Sequence, residues 1–162
     1  MGASFTVRVQ AEPFDTATEI AALSGDGDVG AVVSFSGLCR ADKHEGGGNA
    51  PLSALVLEHY PGMAEAEMER LMKEARARWP LLGARIVHRY GRIAPGEQIV
   101  LVVTSSSHRE AAFSAAAFLM DWLKTSAPFW KKEERAGEGG WVAAKETDDQ
   151  AAERWKGGET DI

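Results

Sequence analysis

Two long segments of helical periodicity, separated by short β-branched runs, place the strongest constraint on the fold. Residues 63–79 carry an apolar side chain every three or four positions, namely Met68, Leu71, Met72, Ala75 and Trp79. Residues 107–124 repeat this spacing with Phe113, Ala116, Met120 and Leu123. Each segment therefore predicts an amphipathic helix with one buried face. Between them, residues 86–90 and 98–104 have the composition of strands.

Shorter patterns complete the predicted order, which is βαββαββα followed by a short strand and a last helical turn. Residues 5–9, 31–35 and 52–59 are strand-like, and residues 129–133 look extended. Thr16 and Glu19 have the spacing of a capping box before a short helix. We predict one α+β domain over residues 1–155, built as a two-layer α/β sandwich with a mixed or mostly antiparallel sheet. A loose polar tail is expected at 156–162.

The charge balance argues against a nucleic-acid-binding protein. The formal net charge of the 162 residues is -6, whereas phosphate backbones require a basic face. Residues 108–135 are less acidic, with five Lys and Arg against four Asp and Glu. This local excess suits a small anionic ligand, although a solvated charged surface is the more common explanation of such a composition.

Cysteine content and the N-terminal sequence favour the cytoplasm. Cys39 is the single cysteine, so no internal disulfide can form. Residues 1–5 lack the basic start and apolar stretch of a secretory signal, and no apolar run approaches the ~20 residues of a membrane span.

The spacing of the residues does not favour a metal site or a nucleophilic active site. The histidines are scattered and no cysteine pair is present, so we expect no metal site and no cofactor. No Gly-x-Ser-x-Gly elbow occurs. Cys39 remains a possible nucleophile, but a lone cysteine is more often a small buried side chain.

The segment Ser105–Arg109 joins a predicted strand to a predicted helix. Free backbone N–H groups and the positive end of the helix dipole are expected there, with His108 and Arg109 as further donors. The segment predicts a phosphate site, and an ordinary helix cap with an exposed arginine is the alternative.

A second cationic segment, residues 124–131, begins where that helix is predicted to end. Lys124 lies ~24 Å from His108 along a straight helix, so the two cannot share a site within one chain unless another element or subunit bridges them. A lysine at a helix C-terminus is often only a favourable contact with the helix dipole.

Taken together, the motifs of this chain resemble the large subunit of molybdopterin synthase, the MoaE family. The similar segments run in order from about Phe5 to Trp155 and include GAVVSFSG at 30–37 with Arg40, LEHYPGM at 57–63, HRYG at 88–91, SHR at 107–109 and KTSAPFWKKE at 124–133. Single pieces are weak, but their order and spacing together are specific.

This resemblance implies a two-layer α/β hammerhead-type fold and a homodimer at the centre of the assembly. It also implies a small ubiquitin-like, MoaD-like partner whose C-terminal Gly-Gly carries a thiocarboxylate. The implied enzyme is a sulfurtransferase whose substrate is cyclic pyranopterin monophosphate, precursor Z. Two sulfur transfers would form the dithiolene of molybdopterin in molybdenum cofactor biosynthesis, and the pocket can include residues of the neighbouring large subunit.

The resemblance also implies the site residues. Lys124 and Lys131 correspond to the catalytic, substrate-contacting lysines. The other implied substrate-binding residues are Arg40, His108, Arg109, Lys132 and Glu133. Many members have a basic or β-branched pair before the arginine, whereas this chain has Leu38 and Cys39, which implies backbone contacts there.

Converging cations would lower the cost of bringing two anions together, and a partly buried lysine can transfer a proton. Two alternatives remain: a non-catalytic module that binds a ubiquitin-like protein, and an anion-binding scaffold or acyltransferase without a sulfur-carrying partner.

Overall fold

The computed structural model describes residues 4–25, 27–41, 51–135, 138–142 and 146–156. The predicted tail at 156–162 therefore lies outside the described residues, except for Lys156. The elements in chain order are β1 Phe5–Gln10, α1 Thr16–Ala22, β2 Ala31–Leu38, β3 Leu52–His59, α2 Met63–Arg78, β4 Leu81–Arg89, β5 Gly91–Ile93, β6 Gln98–Ser106, α3 Arg109–Ser126, β7 Phe129–Arg135, β8 Glu138–Val142 and α4 Glu146–Glu153.

The first of two four-stranded sheets has the order β1-β4-β6-β2. β1 runs parallel to β4, whereas β6 is antiparallel to both β4 and β2. Successive side chains of a strand point to opposite faces. Ile86 and Val102 accordingly pack in the main core with α2 and α3, while Val87 and Leu101 pack with Leu23 on the opposite face.

The second sheet has the order β5-β3-β7-β8, and its strand pairs are all antiparallel. Its small core contains Leu52, Leu55, Leu57, Ile93 and Cys39. The predicted α+β class is thus confirmed, but the described strands form one mixed and one antiparallel sheet, where a single sheet was predicted. In the described part of the chain, no helix is long and apolar enough to cross a membrane.

β4 begins five residues earlier than the sequence pattern indicated, at Leu81 instead of Ile86. Gly83 and Arg85 interrupt the apolar run, and both are explained by tertiary contacts. A Cβ on Gly83 would lie 2.8 Å from Leu23 Cδ2 and 3.0 Å from the backbone oxygen of Ser4, so only glycine fits there. Arg85 donates to Glu19 at 2.8 Å.

The sequence spacing predicts capping boxes that begin at Thr16 for α1 and at Ser107, three residues before Glu110, for α3, and both predictions are wrong. α1 is capped by Asp15, whose carboxylate accepts from Ala17 N at 3.1 Å, and Glu19 is instead buried in ion pairs with Arg8 and Arg85. The N-cap of α3 is His108, not Ser107, and its side chain makes no capping bond.

Candidate active site

A cavity of about 480 Å³ lies between the two sheets at the C-terminal end of α3. This volume is in the range of small-molecule sites. Its lining is mainly apolar and includes Phe35, Leu38, Leu57, Ile99, Val100, Met120, Leu123, Ala127 and Phe129. α3 and both sheets thus contribute one wall each.

One row of paired strand residues forms the floor. Val100 of β6 pairs with His88 of β4 on one side and with Gly37 of β2 on the other, and the three residues line the cavity. A Cβ on Gly37 would lie 2.7 Å from Val100 Cγ1. A side chain at this position would therefore displace Val100, and glycine leaves that space on the cavity floor open.

Three cationic side chains converge on the cavity from three different elements. Arg40 follows β2, Lys124 lies in the last turn of α3 and Lys131 lies on β7. Arg40 and Lys124 are exposed, whereas Lys131 is half-buried. Among the described residues that line this cavity, three carry a positive charge and none is Asp or Glu, so their field favours an anionic ligand.

α3 brings Lys124 to the cavity because the helix runs two residues further than the sequence pattern indicated, to Ser126. Ala127 then turns to an extended conformation with φ -67° and ψ 127°. The following Pro128 favours this conformation because its ring disfavours helical geometry in the preceding residue. The same turn directs the chain into β7, which carries Lys131.

A stack of aromatic rings forms the wall beside Lys131. The rings of His88 and Phe129 are nearly parallel, with centroids 3.7 Å apart and an interplanar angle of 13°. His59 stacks on Phe129 at 5.7 Å. Burial lowers the pKa of His88 to about 4, and the nearby charges of His59 and Lys131 act in the same direction. The imidazole is therefore neutral at pH 7.

The structure brings together only part of the expected site. Arg40, Lys124, Lys131 and Leu38 line the cavity. His108 and Arg109 are exposed at the opposite end of α3. Their separation from Lys124 follows from the helical rise, which gives ~24 Å over this distance.

The remaining expected residues lie around the cavity without lining it. Lys132 is exposed, as the alternation along β7 requires, since Lys131 faces the cavity. Glu133 is buried and accepts from Arg135 Nε at 2.9 Å. Cys39 is 3% exposed, and its backbone N–H and C=O bind Glu97 O and Gly96 N.

Sequence reasoning did not single out His88, Phe129, Phe35 or Gly37 as site residues. Each belongs to a motif that carried the family resemblance, HRYG, APFWK or SFSG. Membership of a shared motif was the available signal. Nothing in the local spacing distinguishes a pocket histidine from a core histidine.

Comparison with known proteins decides the family. The family model described as MoaE protein matches residues 9–126, most of the chain. This chain belongs to the MoaE family. The resemblance deduced from the sequence motifs is therefore confirmed.

Curated MoaE relatives are similar over nearly their whole length. The molybdopterin synthase catalytic subunit of Mesorhizobium japonicum is 64% identical over 154 residues, covering 93% of each chain. The protein of the same name from Rhizobium meliloti is 58% identical over 158 residues, covering 96% of this chain and 98% of its own.

Solved MoaE structures share the fold. The molybdopterin biosynthesis MoaE protein from Burkholderia ambifaria superposes with a TM-score of 0.77 at 45% identity, covering 93% of this chain and 97% of its own. A structure of molybdopterin synthase from Staphylococcus aureus gives a TM-score of 0.76 at 29% identity, covering 83% of this chain and 95% of its own.

Proposed function

We propose that this protein is the catalytic subunit of a molybdopterin synthase and acts as a sulfurtransferase in molybdenum cofactor biosynthesis. Its substrate would be cyclic pyranopterin monophosphate. The sulfur would come from the C-terminal thiocarboxylate of a small ubiquitin-like partner, which is left as a carboxylate. The single cysteine is consistent with a cytoplasmic location.

The observation that carries this proposal is the convergence of Arg40, Lys124 and Lys131 on one mostly apolar cavity. Both reactants are anions, a cyclic phosphate and a thiocarboxylate. Bringing them together in water-poor surroundings is costly unless fixed cations offset their repulsion. Arg40 offers a planar fork for phosphate, and the lysines offer single donors.

We assign the proton transfer to Lys124 and anchoring of the anions to Arg40 and Lys131. Lys124 lies in the last turn of α3, where the free carbonyl groups of the helix end favour a cation. An ammonium group can give its proton to the oxygen that leaves the pterin side chain and recover one from water. Lys132 and Glu133 support this wall from β7.

His108 and Arg109 would enter the cavity of a second copy in a homodimer. The length of α3 keeps them away from their own cavity, and both are exposed. β2, an edge strand of its sheet, exposes Phe35 by 41% and Leu38 by 52%, and α3 exposes Phe113 by 56%. Apolar side chains at an unpaired edge favour coverage by another chain.

The direct test is reconstitution with the thiocarboxylated partner and cyclic pyranopterin monophosphate, followed by detection of molybdopterin. The control is the same partner with an ordinary C-terminal carboxylate, which should bind without supporting conversion. We expect product only with the thiocarboxylate. Partner binding without any product would favour a non-catalytic module, and product formation without a partner would contradict the sulfur source.

A further inference from the structure

The ring of His88 is held in one plane by its neighbours. Phe129 lies parallel to one face, and the stack continues through His59 to Tyr90, whose ring centroid is 4.5 Å from that of His59. The backbone of β4 fixes the other end of the side chain through its pairing with β6. A ring positioned in this way presents its nitrogen atoms in fixed directions.

The hydrogen bond at Nδ1 determines which nitrogen carries the proton. Nδ1 lies 2.8 Å from the backbone oxygen of Arg89. A carbonyl oxygen only accepts, so Nδ1 is the donor and Nε2 of the neutral ring holds a lone pair. Among the residues that the structure describes, none forms a hydrogen bond with Nε2.

This lone pair differs in chemistry from the other polar groups of the cavity. Arg40, Lys124 and Lys131 can only donate hydrogen bonds when charged. Of the other side chains that line the cavity, Ser36 has an exposed hydroxyl and Met120 has only a weak thioether acceptor. Among the described side chains that line the cavity, His88 thus supplies a half-buried nitrogen acceptor, beside three cations, hydrocarbon, the exposed Ser36 hydroxyl and the weak Met120 thioether.

We infer that Nε2 of His88 accepts a hydrogen bond from a ring N–H group of the pterin and thereby sets the orientation of the substrate. The inference rests on the proposed function, because it takes the pterin as the ligand. A reduced pterin carries several N–H donors on the edges of a flat ring. The cations hold its phosphate, and His88 recognises the heterocycle at the other side of the cavity.

Neutrality at Nε2 is essential to this role, since an imidazolium would repel an N–H donor. Burial and the adjacent cationic side chains keep the ring unprotonated at pH 7. The tail of the partner ends in an anion, which the three cations match better than a lone pair does. The pterin is therefore the ligand that needs an acceptor here.

Two amide variants separate the two ring nitrogens. His88→Asn places an amide near the position of Nδ1 and retains a donor for Arg89 O, but has no group at Nε2. His88→Gln reaches the position of Nε2 and offers an acceptor there. Both variants lose the ring that stacks on Phe129, so each is the matched control of the other for lost packing.

The experiment is a titration of the intact protein with cyclic pyranopterin monophosphate, without the partner, for the parent and both variants. We expect His88→Asn to bind roughly 3- to 10-fold more weakly than His88→Gln, the usual worth of one neutral hydrogen bond. A second titration with the carboxylate form of the partner should give the same dissociation constant for both variants.

Equal affinities of the two variants for the pterin overturn the inference while leaving the proposed function intact. A difference confined to the partner titration also overturns it, since the acceptor would then serve the partner's tail. If the parent protein neither binds nor converts the pterin, the proposed function fails and the inference fails with it.

Discussion

At the scale of single residues, two lysines that line the cavity carry the same charge but differ in their exposure. Lys124 is exposed at the end of a helix, whereas Lys131 is half-buried on a strand beside the stacked rings of His88 and Phe129. A lysine and an arginine carry equal charge, but only the lysine can release its proton at an accessible pH. Substitution by arginine thus separates charge from proton transfer.

We expect Lys124→Arg to bind partner and precursor nearly as well as the parent and to lose turnover on the order of 10²-fold or more, as on removal of a general acid–base group. Lys131→Arg should be milder because its assigned role is anchoring. The turnover of both variants is measured as single-turnover conversion with a preloaded thiocarboxylate partner, and their binding by titration. Turnover of Lys124→Arg at the parental rate would show that Lys124 contributes only charge.

Cys39 tests the source of the sulfur. Its side chain is buried with Leu52 and Leu55 in the second sheet and does not line the cavity. Cys39→Ser should therefore retain most sulfur transfer, with a free energy of unfolding lower by about 1–2 kcal/mol because a hydroxyl replaces a buried thiol. Loss of turnover with fold and partner binding intact would mean that Cys39 takes part in the transfer, with its thiol attacking the thiocarboxylate to form a thioester and release sulfide.

At the scale of elements, α1 is fixed to the first sheet through one carboxylate. Glu19 is 5% exposed and forms ion pairs with Arg8 of β1 and Arg85 of β4. Burial by itself would raise the pKa of this carboxyl, but the hydrogen bonds and charges of the two arginines outweigh it and lower the pKa below the ordinary 4.5. The folded state is thus stabilised by the ionised form.

Glu19→Ala should lower the free energy of unfolding by about 3 kcal/mol, because it removes the buried carboxylate that accepts from Arg85 and pairs with Arg8. The contribution of Glu19 is complete above pH 4.5 and is lost as the pH falls through the lowered pKa, so the variant should lose less stability on acidification than the parent.

The matched control for this prediction is Glu67→Ala. Glu67 accepts from Arg70 at 2.7 Å on the exposed side of α2, and such surface pairs contribute about 0.2–1 kcal/mol. Denaturant unfolding at several pH values gives the free energy of unfolding of the parent, Glu19→Ala and Glu67→Ala proteins. Equal losses in the two variants would mean that the buried ion pairs do not anchor α1.

At the scale of the whole molecule, α3 separates two groups of expected site residues. Its 18 residues place Arg109 at one end and Lys124 at the other. A single copy therefore cannot assemble the complete constellation. It would be complete in a homodimer in which the N-terminus of α3 of each copy reaches the cavity of the other. Light scattering should therefore show a dimer at micromolar concentration.

Mixed dimers test the exchange. Arg109→Ala should weaken precursor binding by about 1.5–3 kcal/mol with little change in thermal stability, since Arg109 is exposed. Dimers formed from Arg109→Ala and Lys124→Arg chains would contain one intact cavity, so random mixing should recover about a quarter of parental activity. Each variant alone is the control, and absence of recovery would place both groups in one chain.

The main helices and most strands were determined by the sequence itself. Met68 and Leu71 in α2, like Met120 and Leu123 in α3, are buried because the 3.6-residue period places them on one helix face. Phe113, which the same period places on the buried face of α3, is instead 56% exposed, so that part of the prediction is wrong. This information is local, so it can be extracted from neighbours in the chain. The ordered motifs likewise indicated Arg40, Lys124 and Lys131, which all line the cavity.

Only the tertiary structure determined the contacts between distant segments. His88 and Phe129 stack although 41 positions separate them, and Glu19 is an ion-pair anchor although its spacing suggested a cap. Gly37 lies on the cavity floor because β2, β6 and β4 pair in a particular register. Strand register and sheet order depend on the packing of the entire chain, and no local period encodes them.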